Sequence, residues 1–561
     1  MLVQRELDNL ALRLREYLAF GKEVFLGIGE FWITIARIVS ARQEFHGSVL
    51  TWGRPQSSLF QRSIIGQQVV AVPAIVVGAP MWYDNRLTRP CSAAGGLAVH
   101  ICGGARSIPE VFAMSKGSKK ASRREFLRGG LGAAAAFTIV PRHVLGAGQT
   151  PPSEKLNIAG IGAGGMGGGD IDAVSGGNNI VALCDVDLRR ASAIQKFPEA
   201  KVYRDFRRMF DEMENKIDAV VVGTPDHTHA VAAMAAIKRG KHVYCEKPLA
   251  HSVGEVRALM KAAAEHKVVT QLGNQGHSYE TIRLFCEWIW DGAIGNVHTI
   301  HCGCSAVNSG IDALPRLSEK HDVPPELEWD LWLGPAKERP YHPAYLPGAW
   351  RGWTPFGNGT LGDWLCHVVD PVFWALDLGA PKTIQAQVKD YDPKTQGDAY
   401  PRGDVITFEF PARDKRGPVT LVWHSGTEKI PRAKELEPER KSTDTGAYVY
   451  GDKGVIMYGS HGAGGVRIIP ETAMKAYTLP EKKIPRVQGH HEDGLRAIRE
   501  GRKAGSDFSY GGPLSEIAMV GVIALKMPGT KLEWDAQAVR FTNSDEANQF
   551  INPPYREGWK L

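Results

Sequence analysis

Between Leu156 and Asp185 the chain reads as strand, glycine turn, helix, strand and acid, and few folds accommodate that order. The run from Leu156 to Ile161 is apolar and short, as a buried parallel strand requires. Gly162, Gly164 and Gly167 follow with G-x-G-x-x-G spacing. In a dinucleotide-binding turn the first glycine permits the tight turn. The second lets backbone approach a pyrophosphate, and the third lets helix and strand pack closely. The phosphates then face amide groups at a helix N-terminus, with Met166 inside the turn. Gly160, Gly162 and Gly165 satisfy the same spacing in a second register, so the glycines do not decide the matter alone. Asp185 closes the run Val181–Cys184, roughly 20 residues on, where a carboxylate accepts from the adenosine ribose hydroxyls. It would repel a 2′-phosphate and so favours NAD over NADP, with Arg189 and Arg190 as the counterweight.

The alternation continues. Ile217–Thr224, Lys241–Cys245 and Val268–Leu272 read as strands, with helices over Ala230–Arg239 and Ser252–His266. Strands alternating with helices predict a doubly wound parallel sheet over residues 151–273. Ligands bind such sheets beyond the carboxyl ends of the strands, so Thr224, Pro225, His229, Glu246 and Lys247 line one cleft. Pro225–His229 reads as a turn. From Asn274 the pattern changes: a helix over Ser278–Asp291, a strand over Val297–Val307 and further strands between Ile384 and Ile468 define a second domain, 274–561. Asn274, Gln275 and His277 follow the last strand of the first domain and border the cleft, Asn274 on the cofactor side.

Asp363 and His367 stand four apart, and on a helix beginning near Gly362 both project from one face. A carboxylate there can orient an imidazole for proton transfer. On spacing alone the blander readings stay open: Asp363 as an N-cap, His367 as a core histidine. Trp329, Trp332, Tyr341, Tyr345, Trp350, Trp353 and Trp364 crowd the same region, and flat apolar faces with polar tips suit sugar rings. Tyr341 and Trp350 are the candidates for substrate contact, while Arg351 could reach substrate or cofactor, or pair with an acid. Cys302 and Cys304, near His298 and His301, lack a spaced second ligand pair. His490–Asp493 reads as a helix start with acids on the dipole rather than a metal cluster. No metal is expected.

Gly162–Gly167, Thr224-Pro-Asp-His-Thr-His229 and Glu246-Lys-Pro248, in that order, resemble the Gfo/Idh/MocA oxidoreductases. The resemblance runs from about Lys155 to the C-terminus. It implies an α/β chain with an N-terminal Rossmann-type sheet and a C-terminal α+β domain built on an open, mainly antiparallel sheet. It implies association into a homo-oligomer through that sheet. It further implies Lys247 in the active site, often across a cis Lys-Pro bond, with Asp363 and His367 completing the catalytic set. The implied chemistry is hydride transfer from a sugar or polyol carbinol to NAD. His367 would be the base, Asp363 would orient it, and Lys247 would stabilise the alkoxide.

The chain has 561 residues, 43% apolar and 23% charged, with a net charge of +6 from dispersed basic groups; nothing suggests a nucleic-acid surface. Eight cysteines are too few for a disulfide scaffold. Residues 114–150 have the layout of an export signal: a basic stretch containing the twin-arginine-like Ser122–Arg128, an apolar run Leu131–Val140 too short for a stable membrane anchor, then small residues. Residues 1–113 precede it, which predicts either translation starting at Met114 and export, or a genuine extension and a cytoplasmic protein. Export would demand a tightly held cofactor. That admits, beside an oxidoreductase, an NAD-dependent glycoside hydrolase acting by transient oxidation and elimination. A non-catalytic sugar-binding protein is the third reading, opposed by the intact Lys247, Asp363 and His367.

Overall fold

A computed structural model describes residues 154–414 and 416–561; the extension 1–113 and the signal-like segment 114–150 lie outside the described residues. Six strands form the first sheet: β1 (Asn157–Ile161), β2 (Asn179–Cys184), β3 (Lys201–Tyr203), β4 (Ala219–Val222), β5 (His242–Cys245) and β6 (Thr270–Leu272). They run parallel in the order β3-β2-β1-β4-β5-β6. Helices on both faces bury the strands, which is why β4 reads as an unbroken Ala-Val-Val-Val run. The strand order reverses between β1 and β4, and the glycine turn opens at that crevice. β3 escapes sequence reading because it is an edge strand of three residues with only Tyr203 buried. Pro225–His229 is no separate turn: the helix begins at Asp226 and runs to Ile237, with Pro225 preceding its first turn.

The second sheet holds nine strands: β7 (Val297–Cys304), β8 (Thr383–Val388), β9 (Gly403–Phe410), β10 (Val419–Gly426), β11 (Thr445–Gly451), β12 (Val455–Gly459), β13 (Arg467–Ile469), β14 (Lys531–Asp535) and β15 (Arg540–Phe541). Their order is β13-β12-β11-β7-β10-β9-β8-β14-β15, and only the β7–β10 pair is parallel. Ile300, Cys302, Leu421, Trp423, Ile406 and Phe408 from its central strands are buried. The helices Gly359–Val368 and Phe508–Leu525 pack together above this core; a Cβ on Gly521 would lie 2.6 Å from Leu361 Cδ2. Cys302 belongs to this core, whereas its neighbour His301 points to the opposite face and meets His424 across the ladder (Nδ1 to Nε2, 3.3 Å). Period two therefore splits that cysteine–histidine group between two faces.

Among the described residues, Phe508–Leu525 is the one helix long and apolar enough to cross a membrane, yet it is mostly buried in the core. The C-terminal part of the chain also returns to the first sheet. His490, first residue of the helix His490–Glu500, places Nε2 2.7 Å from the Leu272 carbonyl, and Leu272 N donates to the Ser506 carbonyl.

Candidate active site

A cleft of about 750 Å³ opens at the carboxyl ends of β1, β2, β4 and β5. Gly162 turns the chain at φ +85°, and a Cβ there would lie 2.7 Å from the Gly223 carbonyl. At Gly167 a Cβ would fall 2.2 Å from Gly162 O, so this glycine lets the helix Gly165–Ser175 press against the turn. Gly164 departs from the expectation that its bareness serves pyrophosphate alone. The space its Cβ would occupy is already taken by the Arg190 carbonyl, 2.1 Å away. Asp185 lines the cleft and is braced there, Oδ2 accepting from Ala163 N (2.8 Å) and Oδ1 from Asp187 N (2.9 Å). Burial, partly offset by these bonds, raises its carboxyl above the usual value. Arg189 is spent in a bidentate pair with Asp187, both bonds 2.7 Å, while Arg190 and Arg204 reach the cleft wall. Thr224 Oγ1, on the same wall, is buried without a partner. A turn that excludes side chains, an uncapped helix N-terminus, a braced acid and an unpartnered hydroxyl suit a dinucleotide.

At the other end of the cleft stands Lys247, its peptide bond to Pro248 in the cis form. Its ammonium donates to Asp363 Oδ1 (2.7 Å) and to the Asp363 carbonyl (2.8 Å). Arg351 Nε donates to the same Oδ1 (3.0 Å), and Asn308 Nδ2 to Oδ2 (3.0 Å). Burial acts to raise the Asp363 carboxyl, but the two cations hold it far below the usual carboxylate range. Burial likewise pulls Lys247 down, yet Asp363 and Glu246 outweigh it and keep the ammonium above its ordinary value.

Asp363 lies inside the helix Gly359–Val368, whose N-cap is Asn358, so it caps nothing. His367 shares its face, as the spacing predicts, but no hydrogen bond joins the two. The Asp363 oxygens serve Lys247, Arg351 and Asn308 instead, and His367 Nδ1 is buried without a partner. Burial, then Lys247 and His461, hold His367 neutral, well below the usual histidine value.

Two further cleft residues were not singled out from sequence: His461, which carries no signal there, and Asp226, which lies inside the Thr224–His229 motif. His461, at φ +49° in the loop after β12, sets its ring 4.1 Å from that of His367. Its loop is locked by glycine contact: a Cβ on Gly276 would lie 2.3 Å from Gly462 N. Asp226 is buried on the cleft wall and accepts from the backbone and side-chain nitrogens of Asn358, both at 3.1 Å. Burial raises its carboxyl to about 7, against the pull of Arg351 and Lys247.

Met166, Pro225, His229, Glu246, Trp350 and Arg351 also line the cleft, with the Arg351 guanidinium 4.2 Å over the Trp350 ring. His229 is a clamp as much as a wall. Its ring nitrogens face the carbonyls of Pro248 and Thr224, each at 2.8 Å; burial pulls its pKa down to about 4 against these two acceptors, and a neutral ring donates to only one of them. Asn274, Gln275, His277 and Tyr341 do not reach the cleft wall. Asn274 is wholly buried and donates to Asp370 (2.9 Å); His277 also meets Asp370 (3.1 Å) and stacks on Trp374. Gln275 stands behind Glu246, donating to its Oε1 at 2.7 Å. Tyr341 packs edge-on against Trp329 in an aromatic cluster with Trp332, Tyr345, Trp350, Trp353 and Phe356, of which Trp332 and Trp350 line the cleft. His227 ties that cluster to the first sheet through the carbonyls of Trp332 (2.9 Å) and Phe356 (3.2 Å).

Among the described residues, Glu319, His321 and His342 gather metal-ligand side chains away from the cleft. His342 Nδ1 accepts from Ala344 N (3.1 Å), which leaves the ring proton on Nε2, facing Glu319 at 3.9 Å. At that distance no hydrogen bond joins them, and Nε2 is buried without a partner.

Fold and cleft define a dinucleotide-dependent enzyme of the doubly wound type. Residues 156–274 match the profile of the oxidoreductase family's NAD-binding Rossmann fold, and residues 315–561 that of the same family's C-terminal alpha/beta domain. The chain belongs to the Gfo/Idh/MocA oxidoreductase family. It is 36% identical to an inositol 2-dehydrogenase of Rubrobacter xylanophilus over 117 residues, 20% of this chain and 33% of the relative. It is 32% identical to that of Rhodococcus erythropolis over 172 residues, 29% and 48% of the two chains. The chain thus spans less than half the length of these curated relatives. Among solved structures it is similar to the WlbA dehydrogenase from Bordetella pertussis, in complex with NADH and UDP-GlcNAcA. The TM-score is 0.48 at 17% identity, over 68% of this chain and 98% of the other.

Proposed function

We propose that this chain is an NAD-dependent oxidoreductase that acts on a carbinol of a sugar, polyol or sugar derivative. The observation that carries the reading is a charged Lys247, held by Asp363, in one cleft with a neutral His367 whose Nδ1 lacks a partner. The inositol 2-dehydrogenases among the relatives support a polyol substrate. Gly162–Gly167, Asp185 and Thr224 would hold the cofactor, which supplies the hydride acceptor when bound. His367 takes the hydroxyl proton, and the Lys247 ammonium hydrogen-bonds the reacting oxygen as it gains negative charge. Asp363 is a positioning residue for Lys247 and Arg351 rather than for His367. Trp350 with Arg351 over it forms the wall against which a sugar ring packs. The twin-arginine-like Ser122–Arg128 supports export of the folded chain with its cofactor inside.

The test is direct. Protein purified without added nucleotide is denatured, and released NAD or NADH is identified by mass spectrometry. The intact protein is then offered myo-inositol and a panel of sugars with NAD while NADH absorbance is followed. NAD binding with turnover of at least one carbinol is expected; failure to bind NAD would overturn the reading.

A pH dependence follows. A base with a depressed pKa stays unprotonated until the pH falls through that lowered value, so kcat/KM should show no loss around pH 6.5, the ordinary histidine range. A decline centred near 6.5 in the wild type, absent from a His367→Gln variant with residual activity, would contradict the assignment.

A further inference from the structure

Behind Glu246 a line of buried polar groups leads away from the cleft, and the proposed reaction leaves them idle. The Tyr244 hydroxyl, two residues upstream on β5, lies 3.3 Å from Glu246 Oε1 and 3.5 Å from Asp170 Oδ1. Asp170, on the helix Gly165–Ser175, has Oδ1 2.9 Å from His491 Nε2, while its Oδ2 is buried without a partner. The His491 ring stacks on Tyr244 at 4.9 Å. Gln275 Nε2 braces the junction, donating to Glu246 Oε1 (2.7 Å) and to the Tyr244 hydroxyl (3.0 Å). Gly273 walls it closely: a Cβ there would lie 2.3 Å from Glu246 Oε1.

Glu246, Tyr244 and Asp170 are buried. Only the ends of the line emerge, Glu246 on the cleft and His491 with a fifth of its side chain (20%) in solvent. Two buried carboxylates this close disfavour double ionisation. Burial and Asp170 accordingly push Glu246 well above the usual carboxylate range, against the pull of Lys247 and Gln275. The other group facing Tyr244, His490, has its nitrogens engaged by Leu272 O (2.7 Å) and Ser278 Oγ (2.9 Å), and burial keeps it neutral.

We propose that Glu246, Tyr244, Asp170 and His491 form a proton path from the reacting end of the cleft to the surface at the start of the helix His490–Glu500. The proposal rests on the oxidoreductase reading. Oxidation of a carbinol yields one hydride, which leaves with the cofactor, and one proton, which must leave the cleft. Glu246 rests protonated. As it passes its proton to the Tyr244 oxygen, the Tyr244 hydroxyl proton moves to Asp170, and the emptied Glu246 carboxylate takes the proton from His367 across the cleft that both line. Asp170 passes its proton to His491 Nε2, and His491 releases one to water. At each step one O–H or N–H bond breaks as the next forms, and nothing is oxidised or reduced. Burial and the two carboxylates push the Tyr244 phenol up, so its two transfers are concerted rather than passing through a tyrosinate.

The experiment uses NAD-loaded protein and rapid-scan infrared detection after a jump from neutral to alkaline pH. The wild type should show the carbonyl stretch of a buried protonated carboxyl at neutral pH, and Glu246→Gln should lose or shift it. Tyr244→Phe and His491→Ala should keep the band but lose the proton at least tenfold more slowly after the jump. Added imidazole should restore the rate in His491→Ala alone. Proton loss as fast as wild type in both variants, or no protonated carboxyl in the wild type, would overturn the path. Because His491 sits at the surface, its variant remains informative if Tyr244→Phe folds poorly. Failure of NAD to bind when the protein is loaded would instead sink the oxidoreductase reading.

Discussion

Replacing Lys247 by methionine is expected to lower turnover by about two to three orders of magnitude while NAD still binds. Methionine keeps the apolar stem of the side chain but removes the ammonium that donates to Asp363 at 2.7 Å. In the proposed reaction that ammonium meets negative charge on the reacting oxygen, and shielded from bulk water such a donor is worth several kcal/mol. The variant also leaves the half-buried Asp363 carboxylate to Arg351 and Asn308 alone. Removing one member of a buried ion pair costs about 3–5 kcal/mol when nothing replaces it. Here Arg351 remains, so the loss of stability should fall below that range. Steady-state kinetics, calorimetric NAD titration and thermal melting separate the three effects. A variant that keeps more than about a tenth of wild-type turnover would remove Lys247 from the chemistry.

The second large effect is expected at the glycine turn. Gly167→Val should weaken NAD binding by at least about a hundredfold and lower the melting temperature. A Cβ at this position sits 2.2 Å from Gly162 O and 3.1 Å from Gly223 Cα, both backbone atoms with nowhere to move. The helix Gly165–Ser175 must then lift from β1 and carry its N-terminal amides away from the phosphate site. Overpacking of this kind costs about 1–3 kcal/mol in stability. Gly169 on the same helix is the control. A Cβ there meets nothing within 4 Å, so Gly169→Ala should leave NAD affinity unchanged and raise stability by up to about 1 kcal/mol. Equal NAD affinity in Gly167→Val and wild type would show that the turn is not the cofactor's seat.

The same contrast explains what could be read in advance. β1, β2, β4 and β5 are legible because helices cover both faces, so each is a short, mostly apolar run, whereas the edge strand β6 reads Thr-Gln-Leu and was signalled by Val268 and Val269 before it. β3 is not, since an exposed edge strand needs no such run. The first turn of the helix Asp226–Ile237 was hidden by Pro225, a residue that reads as a turn and here merely precedes the helix. Asp363 and His367 lie on one helix face, as helical spacing dictates, but spacing cannot say which partner a carboxylate takes. Asn274, Gln275 and His277 follow the last parallel strand, yet Asp370 and Glu246 draw their side chains away from the cleft wall.

By itself the sequence determined whatever depends on near neighbours: the order of strands and helices, the glycine turn, the acid at the end of β2 and the shared face of Asp363 and His367. The tertiary structure alone decided the pairings. Lys247 and Asp363 stand 116 positions apart, His461 reaches His367 from a loop locked on Gly276, and His491 meets Asp170 across 321 positions. The physical reason is range. Propensity and periodicity act over a few residues, whereas a buried charge takes whichever opposite charge or hydrogen-bonding group the folded core brings within reach, to avoid the cost of desolvation unpaired.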